Sequence, residues 1–232
     1  MTSHSLFETN LRELESHGLL SESSSAALRE AVEENCPSRR FKNCGDGLFE
    51  DLQGGARQRL YSRHDPEGEA RRQVEAWLSE NFKSPSRLVA VLGAAGLHHV
   101  KELADALPDG TKIFLVEPFP EILAAVLSTR EAGKIVRPGI ELKIASRLDY
   151  PQLLEEYRLA LRKMEQLSLS VFIHPASSRL APEIYHSIAA GLAERSRLEF
   201  ANRETALHFS QEWLSNSLSN ISAIADSTPI EA

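Results

Sequence analysis

Four apolar runs alternating with helical stripes constrain this chain more than any other feature. The runs are Leu88 to Leu92, Ile113 to Val116, Ile140 to Ala145 and Leu169 to His174. The first is unbroken, as a strand covered on both faces should be. Between the runs lie three sets of apolar residues at helical spacing. They are Val100, Leu103, Ala104 and Leu107; Phe119, Ile122, Leu123, Val126 and Leu127; and Leu153, Leu154, Tyr157, Leu161 and Met164. Gly133 closes the second set. Before the first run, Asp65-Pro66-Glu67 reads as a helix start, with a cap, a proline at the first helical position and an acid at the positive helix end. Ala70, Val74, Trp77 and Leu78 continue that helix. Strand and helix thus alternate from residue 66 to 174, which predicts a parallel sheet with helices on both faces.

The expected fold is therefore α/β: a Rossmann-like, mostly parallel sheet with flanking additions. Residues 1–61 form an N-terminal appendage. Two short helices, carrying Leu6, Leu11 and Leu14 and then Ala27, Leu28 and Val32, end at Pro37. Gly-Asp-Gly and Gly-Gly within residues 39–61 predict a hairpin or meander. Residues 62–181 are the Rossmann-like domain, and residues 182–232 a C-terminal helical segment with a loose tail.

Composition narrows the function classes. With 42% hydrophobic and 25% charged residues, the chain reads as a soluble globular protein. The net charge is -7 and no basic stripe stands out, so nucleic acid is not an expected partner. No apolar stretch approaches the roughly 20 residues that span a bilayer. The N-terminus lacks the basic region and apolar core of a signal peptide, so the expected location is the cytoplasm. Cys36 and Cys44 lie in no metal-ligand spacing, so no metal site is expected.

In open parallel sheets, ligands bind beyond the carboxyl ends of the strands. Those ends carry Gly93-Ala94-Ala95-Gly96-Leu97-His98-His99, Glu117-Pro118, Ser146 to Asp149, and His174-Pro175 with Ser177, Ser178 and Arg179. Glu117 follows Gly93 by the interval at which a dinucleotide fold places its ribose-binding acid. The turn itself fails the G-x-G-x-x-G pattern, because Ala95 replaces the middle glycine. Candidate cofactor-binding residues are Gly93, Gly96, His99, Glu117, Asp149 and His174. The bland alternative is a tight turn and a solvated strand end. Arg63, just before the capped helix, and Arg179 are candidate anion-binding residues. Phe209, Trp213, Asn216 and Asn220 share one helical face, suited either to packing on another domain or to an ordinary core. No catalytic residue can be named from these patterns.

Five stretches occur in order: "LYSRHDPEGEA", "VLGAAGLHHVKEL", "IFLVEPFPEIL", "FIHPASSRLAPEIY" and "WLSNSLSN". Together they resemble the N-terminal region of the motility accessory factor (Maf) family. That family comprises flagellin glycosyltransferases that transfer nonulosonic acids, and hydroxymethylpterin diphosphokinase-like relatives. Ser62, Asp65, Pro66, Glu69 and Ala70 match its "lhSryDPxkEA" stretch. Gly93 and His99 match "GxGxGYH", from which Ala95, Leu97 and His98 depart. Glu117 and Pro118 match its "xEP" strand end, and Trp213, Asn216 and Asn220 its "WxxNxxxN" helix. The resemblance spans about residues 40–225 and implies a Rossmann-like domain that precedes a catalytic domain in the family.

The function it implies is a module of protein glycosylation that binds a partner or a nucleotide sugar without catalysing by itself. A separate glycosyltransferase chain, flagellin, or a second copy meeting the Trp213 helix would be the partner. The alternative is a methyltransferase-like transferase using S-adenosylmethionine or another nucleoside cofactor through Gly93, Glu117 and Asp149.

Overall fold

The computed structural model describes residues 3–33, 40–45, 47–81, 88–129, 132, 141–145, 150–162 and 169–225. Cys36, Pro37, Gly133, Met164, residues 146–149 and the tail from 226 lie outside the described residues. Helices α1 (Ser3–Ser16) and α2 (Glu22–Val32) come first. Ser21 caps α2, accepting from the Ser24 amide at 3.2 Å, and its hydroxyl also donates to Glu156 at 2.6 Å. Strands β1 (Phe41–Asn43), β2 (Leu48–Asp51) and β3 (Arg57–Arg59) then form an antiparallel sheet in that order. This is the expected meander.

Helix α3 (Pro66–Asn81) begins at the expected proline. The Asp65 carboxylate accepts from the Gly68 amide at 2.9 Å, and Glu69 accepts from the Ser62 amide at 2.6 Å. The helix start is thus closed by its own side chains.

Alternating elements follow: β4 (Leu88–Leu92), α4 (His98–Ala106), β5 (Lys112–Val116), α5 (Pro120–Leu127), β6 (Glu141–Ala145), α6 (Tyr150–Arg162) and β7 (Leu169–Ile173). The four strands are parallel, in the order β6-β5-β4-β7. The chain winds outward from β4 through β5 to β6, then returns to the other side of β4. The winding direction therefore reverses at β4, where every residue is buried.

Alternate residues of β4 enter different apolar clusters. Val89 and Val91 pack with Phe7, Leu28, Val74, Val100 and Leu123, from α1 to α5. Leu88, Ala90 and Leu92 pack with Phe41, Tyr157, Tyr185 and Leu192.

One element differs from expectation. The Pro175 to Leu180 stretch, read as an open strand end, is a short helix, α7 (Pro175–Leu180). Pro175 at its first position and the His174 side chain as cap explain the turn. The C-terminal segment, expected to be helical, is one continuous 44-residue helix, α8 (Pro182–Ala225). Among the described residues no helix is long and apolar enough to cross a membrane.

The buried Asn10 joins α1 to the end of α5. Its side-chain amide donates to the carbonyls of Leu127 at 2.7 Å and Thr129 at 3.0 Å. Asn10→Ala leaves both carbonyls without that donor, so it should destabilise the fold by about 1–3 kcal/mol. Urea denaturation checks this; an unchanged midpoint would mean that water replaces the amide without loss.

Candidate functional site

The sequence-predicted residues Gly93, His99, Glu117 and His174 do converge, but on one another. Gly93 turns the chain out of β4 at φ +100°, and its amide donates to the Val116 carbonyl at 2.8 Å. That conformation favours glycine. Sterics demand it as well, since a Cβ there would lie 2.5 Å from the Ser177 Cβ on α7.

The next amide, Ala94, donates to Glu117 Oε2 at 2.8 Å. Glu117 Oε1 accepts from the Phe119 amide at 3.1 Å and from the Tyr185 hydroxyl at 2.9 Å. The carboxyl is fully buried. Burial pushes its pKa up to about 7, even though the amides of Ala94 and Phe119 and the Tyr185 hydroxyl favour the charged form. Tyr185 is itself pushed well above 10, by burial and then by the neighbouring Glu117.

On the other side of Gly93, a ring nitrogen of His99 (Nε2) meets the Gly93 carbonyl at 2.9 Å. The His99 ring stacks on His174 with centroids 4.6 Å apart. His174 Nδ1 lies 3.0 Å from the Ser177 hydroxyl and accepts from the Ser177 amide at 3.2 Å. Burial drives the pKa of His99 down to about 4 and that of His174 well below 6.5. Both rings are neutral near pH 7. The ends of β4, β5 and β7 are therefore linked by hydrogen bonds and ring contacts among buried side chains.

Open space lies one layer outward. A cleft of about 500 Å³ is lined by Tyr61, His64, Asp65, Glu67, Gly96 and His98, with residues of β1, β2 and α5 closing its sides. Its volume falls in the range of small-molecule sites. Of the sequence-predicted residues, only Gly96 lines it. Gly96 packs against Tyr61, where an added Cβ would sit 2.8 Å from the ring, and Gly47 approaches the same ring even more closely. Tyr61 also meets the His98 ring edge-on at 5.6 Å.

Arg63 and Arg179 are exposed, on α3's approach and on α7 respectively. The anion position expected beside Arg63 is taken by the Asp65 cap. Asp149 lies outside the described residues. Among those residues, no group of three or more His, Cys, Asp or Glu could hold a metal ion.

No family model, curated protein or solved structure matches the chain. The site is read from its own chemistry. A buried carboxyl with three donors and two neutral histidines forms an internal clamp. The cleft beside it offers carboxylates, imidazoles and an aromatic wall to a polar ligand.

The sequence reading missed Tyr185 and Tyr61. Tyr185 leaves a trace, because a tyrosine buried in an apolar stripe needs a partner for its hydroxyl. Tyr61 leaves none, since the two glycines that admit its ring lie 14 residues before it and 35 after it.

The Glu117 clamp predicts a pH profile. Its raised pKa contributes stability that is full below pH 4.5 and lost as pH rises through about 7. His99 runs oppositely: its contribution is present above pH 6.5 and lost as pH falls through about 4. The two contributions offset each other between pH 4.5 and 6.5, so denaturation midpoints should form a plateau there and fall on either side. Glu117→Gln should flatten the alkaline limb; a limb that persists unchanged would assign the titration to another group.

Gly93→Ala should cost about 3 kcal/mol or more, from the clash and the left-handed backbone together. Adding Ser177→Gly should restore the steric part only, which thermal denaturation of the single and double variants would separate.

Proposed function

We propose that this chain is a Rossmann-type module of a cytoplasmic protein-glycosylation system, which binds a nucleotide sugar or a partner chain and does not transfer the sugar itself. One contrast carries the reading. The ionisable side chains at the strand ends are taken up by the chain's own groups, whereas a cleft lies open beside Gly96 and the far half of α8 exposes apolar side chains.

The strand order supports the Rossmann part. With β4 as first strand, β6-β5-β4-β7 reads 3-2-1-4, the first four positions of a doubly wound sheet. The two clusters fed by alternate residues of β4 fit a sheet with helices on both faces.

The turn supports the resemblance to the motility accessory factor family. Ala95 and Leu97 stand where that family's pattern has its second and third glycines, and both keep left-handed backbones, at φ +41° and +65°. Holding a side chain there costs about 1–2 kcal/mol per residue. The backbone thus keeps a glycine-type path without the glycines.

In the cleft, Asn43, Asp65 and Glu67 suit the hydroxyls of a sugar. The transferase alternative needs Glu117 free to accept from a ribose. Here its two oxygens already accept three hydrogen bonds from the chain.

Two measurements test the proposal. A thermal-shift series with CMP-, UDP- and GDP-sugars and with S-adenosylmethionine should single out a sugar nucleotide. A ligand at 100 times its dissociation constant adds about 2.7 kcal/mol. Incubation with flagellin and activated nonulosonic acid should leave the flagellin mass unchanged. Stabilisation by S-adenosylmethionine alone, or a sugar-mass gain on flagellin, would overturn it.

A further inference from the structure

The buried polar groups behind the β4 turn form one chain of hydrogen bonds. The Tyr185 hydroxyl lies 2.9 Å from Glu117 Oε1. The Ser177 hydroxyl hydrogen-bonds to the Tyr185 hydroxyl and lies 3.0 Å from His174 Nδ1. Side chains from the end of β5, from α8, from α7 and from the end of β7 thus follow one another, and all four are buried. The two middle members are hydroxyls. A hydroxyl donates one hydrogen and accepts at the same oxygen, so each can point its hydrogen either way along the chain.

The Glu117 end decides the direction. As a carboxylate, Glu117 only accepts. Tyr185 then donates to Glu117, Ser177 donates to Tyr185, and His174 Nδ1 keeps the Ser177 amide, at 3.2 Å, as its donor. As a carboxylic acid, Glu117 has a hydrogen of its own to place. Its other two partners are the amides of Ala94 and Phe119, which can only donate. Of its three partners, Tyr185 alone can accept. A buried acid hydrogen without an acceptor is costly. Tyr185 must therefore turn its hydrogen to Ser177, and Ser177 its hydrogen to His174. The ring can take it: Nδ1 already accepts an amide, so the neutral imidazole carries its hydrogen on Nε2.

We infer that this chain is a pH-operated switch, in which one proton on the Glu117 carboxyl reverses both hydroxyls and gives the His174 cap of α7 a second donor. It is built into the packing of the strand ends and does not depend on what the cleft binds. The groups around it set its working range. Tyr185 on α8 and Glu121 on α5 face the carboxyl, while β4 and its turn as far as Leu97 contain no ionisable residue. The small sheet contributes Arg40, whose guanidinium lies over the Phe119 ring. Burial, then His99 on α4 and Arg179 on α7, hold His174 neutral. Burial, reinforced by Glu121 and opposed by the three donors, brings the carboxyl to about 7. The proton therefore enters below neutral pH and leaves above it.

Nitrogen-15 NMR of the full chain with labelled histidine, alongside carbon-13 NMR of labelled glutamate, tests this. As pH falls through about 7, the His174 Nδ1 resonance should move upfield, as an acceptor nitrogen does on gaining a donor, while Nε2 keeps its hydrogen. Its midpoint should coincide with that of the Glu117 carboxyl carbon. Tyr185→Phe and Ser177→Ala each interrupt the chain and should abolish the movement. Glu117→Gln, which cannot change its proton, should make the resonance independent of pH. Ser177→Ala keeps the capping amide and removes only a hydroxyl, so it decides the matter even where Tyr185→Phe fails to fold. A wild-type Nδ1 resonance that stays fixed while Glu117 titrates would overturn the switch. So would a Glu117 carboxyl that does not titrate near neutral pH, or a movement that survives Ser177→Ala.

Discussion

The buried carboxyl of Glu117 is the interaction on which the centre of this fold depends. It sits at the end of β5, yet its oxygens hold the first amide after the β4 turn, the Phe119 amide that opens α5, and the Tyr185 hydroxyl on α8. One side chain thereby joins two strand ends and two helices. An uncompensated buried charge is very costly, so a group in this position is either protonated or well supplied with donors. Here both solutions are in play, and the acid stands near its own titration point at neutral pH. The adjoining histidines complete the constraint. His99 secures the turn carbonyl, and His174 starts α7 and places Ser177 over Gly93.

That clamp explains why the fold was more legible than the site. The runs Leu88 to Leu92 and Leu169 to His174, and the helical stripes between them, are local signals of burial, and the strands follow them to within a residue. The Asp65-Pro66 cap is equally local and is found as read. Gly93, His99, Glu117 and His174 lie together because parallel strands bring their carboxyl ends together. What spacing alone cannot reveal is whether such groups face a ligand or each other. The deciding partners, Tyr185 and Ser177, come from helices packed over the strand ends. One of those helices, α7, has only six residues and too short a stripe to announce itself.

The turn after β4 has an energetic logic of its own. Gly93 is needed twice, for its positive φ and for the approach of Ser177. Ala95 and Leu97 are strained, yet both side chains are buried, one in each of the two apolar clusters. Burying a leucine is worth about 1.5–3 kcal/mol, which offsets a left-handed residue costing about 1–2 kcal/mol. The loop has thus exchanged backbone freedom for packing. A turn of that kind is stiffer than a glycine-rich one and offers fewer bare amides to a phosphate. Its ligand, if held nearby, is better met by side chains, and the cleft beside Gly96 supplies them in His98, His64, Asp65 and Glu67.

The position of that cleft bears on how the parts of the chain cooperate. Its walls come from the β1–β2 sheet, the start of α3, the turn before α4 and the end of α5. The small antiparallel sheet is therefore part of the site and not an ornament on the main domain. Tyr61 joins the two parts, with its ring pressed between the backbones of Gly47 and Gly96. Movement of the small sheet would have to carry Tyr61 with it, and through Gly96 would pull on the turn whose Gly93 carbonyl and Ala94 amide are held by His99 and Glu117. A ligand that wedges Tyr61 would press on the same clamp that supports the strand ends. The outer cleft and the inner carboxyl are thus joined by four residues of backbone, from Gly93 to Gly96.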